Sequence, residues 1–380
     1  MGLGGIMKIV IRNNAETALF DYFNQQAAGH DDIEIIRAKL SSHKDKESFS
    51  RLLDVGSGGK YLGVKEEDLK GEPIVLIHSS GFTGRTSADE YFTRTLFTID
   101  TLRDMGAGPI WLVEPYAAYT RQDRRTKKKA EDGGGEYIEA LTNKYAARHK
   151  HFAGAVGWST VDVHSNAAFA DYEDVFGVDN VFNLDPAIGY AEHFKRELDL
   201  SNLLIANPDG GADVRAQHAR EIMGLDGKVS GSKERDNTGD VGSISKCTGL
   251  EGAVAGKDIL AYDDIGNTGG TLENFARTLK DAGARNVYAA VTAGTFGGDG
   301  LKRIFSAKTN DSSDLIDKIF VSNAISQIGR MNELRDNYLP EEIEGRIITM
   351  GLEGMLWDHI IDDIKPHAIM QPQNPKTPAP

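Results

Sequence analysis

The sequence predicts an α/β protein whose sheets are mainly parallel. Short runs rich in Val, Ile and Leu alternate with longer amphipathic stretches through most of the 380 residues, and glycine-bearing turns follow two of the runs, at Asp209–Gly211 and Gly266–Gly270. Alternation of that kind implies strands covered by crossover helices. A prior of about 150 residues per domain gives two or three domains, each with its own core.

In chain order the expected strands are Met7–Ile11, Ile74–His78, Ile110–Val113, Ser159–Val163, Leu203–Ala206, Ile259–Tyr262, Val287–Thr292 and Ile319–Ser322. The expected helices between them are Glu16–Gln26, Ala88–Met105, Tyr137–His149, Ala187–Leu198, Arg215–Met223 and Thr271–Ala282. Three stretches break the alternation. Leu40–Lys60 is polar and reads as a mobile loop at DVGSGGK, Arg124–Gly135 runs from basic residues into glycines, and Lys228–Lys246 is rich in Gly, Ser and charge. Long loops inside compact domains are usually functional or disordered. Prolines gather from Pro366 to Pro380, which predicts a disordered tail without a regular helix. The organisation changes near Asn180. The expected domains are therefore 6–180 and 181–365, with 345–365 packing back on the first, followed by the tail 366–380.

Composition excludes whole classes. Lys and Arg number 43 against 57 Asp and Glu, a formal charge of −14, which argues against a dedicated nucleic-acid-binding protein. A single cysteine, Cys247, excludes an intramolecular disulfide and a multi-thiolate metal site. No window approaches about 18 consecutive apolar residues, so the expectation is a cytoplasmic protein without a membrane span.

In open α/β sheets ligands bind beyond the carboxyl ends of strands. The segment DILAYDDIGNTGGTL, Asp258–Leu272, is the most informative of these ends. An apolar strand delivers Asp263 and Asp264 into a loop, followed by Asn267, Thr268, Gly269, Gly270 and Thr271, where a helix starts. Glycines let backbone N–H groups approach an anion, the threonines add hydroxyl donors, and the helix N-terminus adds partial positive charge. The paired carboxylates accept hydrogen bonds from vicinal sugar hydroxyls. This is the chemistry of a sugar-phosphate site.

DDIGNTGGT resembles the phosphoribosyl-pyrophosphate loop of the type I phosphoribosyltransferase fold, with Asn267 where a third acid is usual. Four further segments resemble ribose-phosphate diphosphokinases, in that family's order: EPYAAYTRQDRR at Glu114–Arg125, STVDVHS at Ser159–Ser165, NPDGGADVRA at Asn207–Ala216 and SKERD at Ser232–Asp236. The resemblance covers about 6–365 and implies two phosphoribosyltransferase-like domains. It also implies transfer of the diphosphoryl group of ATP to the anomeric hydroxyl of ribose 5-phosphate, giving phosphoribosyl pyrophosphate and AMP.

By the same resemblance Arg121, Gln122, Asp123 and His164 hold ATP, and Asp209, Gly210 and Gly211 form the diphosphate loop. Lys233 and Arg235 act on the moving phosphoryl oxygens, and magnesium (Mg2+) sits near His164 and Asp209. ATP and a phosphorylated ribose are the expected partners, in a homo-oligomer. The family's Phe-x-Asp-Gly-Glu element near the amino terminus, on a flag-like loop that reaches a neighbouring subunit's nucleotide, is absent; Ala38–Arg51 reads AKLSSHKDKESFSR. Asp213 and Val214 stand where an apolar residue and a lysine are common. The chain is thus a divergent member. Three alternatives stay open: the same transfer to a larger acceptor such as ADP-ribose, a phosphoribosyltransferase, and a non-catalytic regulatory homologue.

Overall fold

In the computed structural model of the chain, residues 6–12, 17–42, 48–55, 61–79, 87–123, 127–129, 136–138, 141–208, 213–225, 228–232, 246–248 and 253–370 are described. They form two units. The first ends at Leu184 and takes in the segment from Glu353 onward; the second spans Asp185–Leu352.

Ten strands belong to the first unit: β1 (Met7–Arg12), β2 (Ile33–Ser42), β3 (Ser48–Val55), β4 (Tyr61–Gly63), β5 (Ile74–Ile77), β6 (Ile110–Glu114), β7 (Lys127–Lys129), β8 (Glu136–Ile138), β9 (Ala155–Val161) and β10 (Val181–Leu184). Its sheet has the order β10-β9-β6-β5-β1-β2-β3-β4, and β7 pairs with β8 separately. Pairing is parallel from β10 to β2 and antiparallel across β2, β3 and β4. Every residue of β5 and β6 is buried, as central parallel strands require. Helices α1 (Thr17–Ala27), α2 (Glu66–Leu69), α3 (Ala88–Asp104), α4 (Thr142–Ala153) and α5 (Asn166–Phe176) accompany it. Leu76, Leu112 and Trp158 from the sheet share a core with Leu102, Ala147 and Tyr172 from α3, α4 and α5.

The second unit contains α6 (Ala187–Glu197), β11 (Leu203–Asn207), α7 (Asp213–Met223), β12 (Lys228–Ser232), β13 (Lys246–Thr248), β14 (Asp258–Gly266), α8 (Gly270–Asp281), β15 (Asn286–Gly294), α9 (Gly300–Ser306), β16 (Lys318–Ser322), α10 (Ile328–Leu334), α11 (Pro340–Arg346) and β17 (Ile347–Met350). Its sheet order is β13-β12-β11-β14-β15-β16-β17, parallel except between β12 and β13. Leu272, Phe275, Ala276 and Leu279 recur at helical spacing on α8 and pack into this core beside Ile259 and Val291.

Several expectations need correction. Within Leu40–Lys60, residues 40–42 and 48–55 belong to β2 and β3, since antiparallel backbone pairing needs no apolar run, and 43–47 and 56–60 lie outside the described residues. Tyr137 and Ile138 are in β8, paired with Lys128 and Lys127, so the helix expected from Tyr137 starts at Thr142. Lys228–Lys246 contributes β12 and opens β13. The two units divide after Leu184, near the change expected at Asn180, with β10 still paired to β9. Of the tail expected from Pro366, residues 366–370 end the helical segment Glu353–Met370 and 371–380 lie outside the described residues; the segment has a wider turn at Ile360–Ile364, where Lys365 N–H donates to Ile360 C=O. Pro366 cannot donate to an earlier carbonyl, and the wide turn immediately before it accommodates the ring.

Candidate active site

The described candidate residues lie on or after the carboxyl ends of β6, β9 and β14, and each half is described by itself.

In the first unit β6 ends at Glu114, a fully buried carboxylate. Its Oε2 accepts from Lys150 Nζ and from the Trp158 indole N–H at 2.8 Å. Lys150 also donates to the Tyr172 hydroxyl at 2.8 Å, and Tyr172 stacks on Trp158 with ring centres 3.6 Å apart. Burial, the largest influence, pushes the Tyr172 phenol up to about 12. The chain then turns through Pro115–Asp123. Tyr119 has φ +72°, its edge meets Phe92, and its hydroxyl donates to Asp89 of α3. Burial, reinforced by Asp89, raises the Tyr119 phenol above its ordinary value. Gln122 N–H donates to Tyr119 C=O at 2.8 Å, leaving the Arg121 and Gln122 side chains exposed. Asp123 accepts from the Ser165 hydroxyl, and Ser165 caps α5 by accepting from Ala168 N–H at 3.1 Å. His164, half-buried, is the residue before that cap. Within this unit the fold therefore gathers Asp123 and the His164–Ser165 turn.

In the second unit β14 continues through both acids to Gly266, pairing Asp263 with Val291, Ile265 with Ala293 and Gly266 with Gly294. The pair is thus on the strand, not in a loop. Alternation along the strand puts the neighbouring side chains on opposite faces: Asp263 is half-buried, and Asp264 is only 5% exposed with Arg215 of α7 3.9 Å away. Asp263 Oδ1 accepts from the Asp264 N–H at 3.0 Å.

The turn is left-handed at Gly269, φ +76°, where a Cβ would lie 2.6 Å from Ile304 Cγ2 and 2.9 Å from the Gly300 carbonyl. Only glycine suits that position. The first intrahelical bond of α8 joins Glu273 N–H to Gly269 C=O at 2.8 Å, so the amides of Gly270, Thr271 and Leu272 point out of the helix start, as an anion site requires. Arg303 of α9 adds a cation beside Gly270 and donates to Glu273 at 2.6 Å. Burial would raise the Glu273 carboxyl, but the Arg303 and Arg277 hydrogen bonds outweigh it and hold it low.

Asn267 has a structural task. Its side-chain oxygen accepts from Gly297 N–H at 3.3 Å and lies 3.4 Å from the Thr295 hydroxyl, tying the turn to the β15–α9 connection. The structure adds Glu114 as the partner of Lys150, Arg215 beside Asp264 and Arg303 beside Gly270. Arg215 had a signal, since it belongs to the segment NPDGGADVRA that the sequence singles out; the Glu114–Lys150 pairing and Arg303 had none. Asp209, Gly210, Gly211, Lys233 and Arg235 lie outside the described residues, as do 56–60, 124–126 and 130–135. Among the described residues no group of three or more His, Cys, Asp or Glu is arranged to hold a metal, and no helix is long and apolar enough to cross a membrane.

Comparison with known proteins adds an independent line. A family model for the N-terminal domain of ribose phosphate pyrophosphokinase matches residues 19–133. The ribose-phosphate pyrophosphokinase of Brucella melitensis is 30% identical over 247 residues, 65% of this chain and 72% of the relative. That of Buchnera aphidicola is 29% identical over 325 residues, 86% of this chain and 90% of its own. The crystal structure of phosphoribosylpyrophosphate synthetase from Mycobacterium smegmatis superposes with a TM-score of 0.68 at 18% identity, covering 94% of this chain and 99% of that one. The shared fold is α/β with two phosphoribosyltransferase-like domains. Segments in family order and a Brucella relative, 30% identical and matched over 72% of its length, lead to one conclusion: the chain belongs to the ribose-phosphate pyrophosphokinase family.

Proposed function

We propose that the chain transfers the β,γ-diphosphoryl group of ATP to the anomeric hydroxyl of ribose 5-phosphate. The anomeric oxygen bonds to the β-phosphorus, the bond from that phosphorus to the α,β-bridging oxygen breaks, and AMP leaves. The observation that carries this reading is the end of β14, where paired acids run into a left-handed glycine and a bare helix start. Asp263 and Asp264 take the ribose hydroxyls, and the turn from Asn267 to Thr271 takes the 5-phosphate, with Asn267 holding the turn and Thr268, Gly269, Gly270 and Thr271 offering donors. Arg121, Gln122, Asp123 and His164 hold the nucleotide. Asp209, Gly210 and Gly211 cradle the diphosphate, and Lys233 and Arg235 stabilise charge on the moving phosphoryl oxygens.

Magnesium prefers oxygen ligands and commonly binds through one or two carboxylates plus substrate phosphates. Asp209 and His164 are the side chains that would hold it, His164 through its surroundings more than by direct ligation. Bound there, it neutralises phosphate charge. The reading includes a homo-oligomer working in the cytoplasm.

The test supplies purified protein with ATP, magnesium and ribose 5-phosphate and follows AMP. Release that needs all three, and stops on chelation of magnesium, is the expected result. AMP release only with ADP-ribose overturns the acceptor; none with any acceptor overturns the reaction.

A further inference from the structure

The segment Glu114–Asp123 is anchored at both ends: Glu114 by Lys150 of α4 and Trp158 of β9, both of which touch Tyr172 of α5, and Asp123 by Ser165, the cap of α5. At its start the Glu114 carboxylate is fully buried and Lys150 is 1% exposed, and Lys150 bridges to Tyr172 of α5. The Trp158 indole adds a second donor to Glu114 and stacks on Tyr172. At its end Asp123 accepts from Ser165, the residue that caps α5. His164 adjoins that cap, so Asp123 and His164, two of the four residues assigned to the nucleotide in this unit, sit at the start of α5.

A buried ion pair contributes little net stability compared with well-packed apolar residues, although breaking one partner is costly. Its geometry is more demanding than an apolar contact, because each donor must meet a lone pair. Burial disfavours the Lys150 charge, yet the Glu114 carboxylate outweighs it and raises the ammonium above its ordinary value. The pair is therefore a fixed ionic anchor where the strand becomes the segment.

We propose that Glu114 and Lys150, acting through Tyr172 and Ser165 of the α5 frame, are positioning residues that set the nucleotide segment for ATP. The proposal rests on the nucleotide-binding role given above to Arg121, Gln122, Asp123 and His164.

Two variants test it from opposite ends. Glu114→Gln retains an acceptor for Trp158 and removes the charge, and Ser165→Gly keeps a tolerated cap residue while removing the hydroxyl that meets Asp123. The readouts are the Kd of a non-hydrolysable ATP analogue, measured by calorimetry, and KM for each substrate. Each folded variant is expected to weaken the analogue by roughly tenfold, the loss of about one charge-assisted hydrogen bond, while KM for ribose 5-phosphate stays within about twofold. A lower melting temperature with unchanged analogue affinity in both variants marks a purely structural network and overturns the proposal. Should Glu114→Gln fail to fold, Tyr172→Phe, which keeps the ring on Trp158 and removes the hydroxyl that meets Lys150, takes its place on the same readouts. A wild-type protein that binds the analogue without releasing AMP counts against the reaction, not against positioning, since analogue affinity still reads the frame.

Discussion

Asp264 sets the residue-scale problem, because a carboxylate 5% exposed at the end of a strand is costly unless something answers its charge. Arg215, 3.9 Å away, does so in part, and sugar hydroxyls add further donors in the reading above. Asn has the shape of Asp and one acceptor oxygen, but no charge. The double variant Asp263→Asn/Asp264→Asn is therefore expected to fold and to lose roughly a hundredfold or more in acceptor-dependent AMP formation, since each charged hydrogen bond is worth about 1.5–3 kcal/mol. Steady-state rates beside a circular dichroism spectrum check it; wild-type turnover in a folded double variant contradicts the assignment. Lys233→Ala or Arg235→Ala should lower kcat on the order of 10²–10³-fold with ATP affinity little changed, if these cations act on charge present mainly in the transition state. A loss confined to KM for ATP would make them ground-state binders instead.

Among elements, the β14–α8 junction is the one that glycine chemistry decides. Gly269→Ala forces a Cβ into φ +76° and against Ile304, so a cost of about 1–3 kcal/mol is expected, together with weaker binding of ribose 5-phosphate. Urea unfolding and calorimetric titration measure the two; an unchanged unfolding midpoint would mean that the turn relaxes freely. This junction was legible in sequence because an apolar strand, two acids and paired glycines are adjacent in the chain. Central strands such as β5, β6 and β15 were legible for a related reason: burial on both faces writes a continuous apolar run. The β2–β3 hairpin was not, since an antiparallel ribbon held by backbone bonds tolerates AKLSSHKDKESFSR as well as an apolar sequence. Strand β14 outran its apolar stretch for the same reason, carrying its pairing through Asp263 to Gly266. Side-chain frames were illegible altogether. Glu114 and Lys150 are 36 residues apart, and nothing local marks either as the other's partner.

For the molecule as a whole, the helical segment from Glu353 returns to the first unit through His359. Its Nε2 meets the buried Ser159 hydroxyl at 2.8 Å, its Nδ1 meets Asp363 at 2.7 Å, and Phe182 packs on its ring. Burial depresses the imidazole below its ordinary value despite Asp363. The folded form therefore binds the proton less readily than the unfolded chain. Stability from this group is complete above about pH 6.5 and is lost as the pH falls through the lower folded value. Urea midpoints between pH 7.5 and pH 5 should decline, and His359→Gln should flatten that decline; an unaltered profile in the variant assigns the pH dependence elsewhere. Carboxylates such as Asp258, which burial would raise but Arg285 and Asn286 hold low, give way only at more acidic pH.

Family membership and two mainly parallel sheets fix the kind of molecule, and the central claim is the group transferred. Phosphorus NMR of a reaction containing ATP, magnesium and ribose 5-phosphate tests it most directly. The account predicts equal amounts of AMP and a new diphosphate attached at the anomeric carbon, with the 5-phosphate signal intact. ADP accompanied by a sugar bearing one added phosphate, or AMP accompanied by free diphosphate, would contradict it.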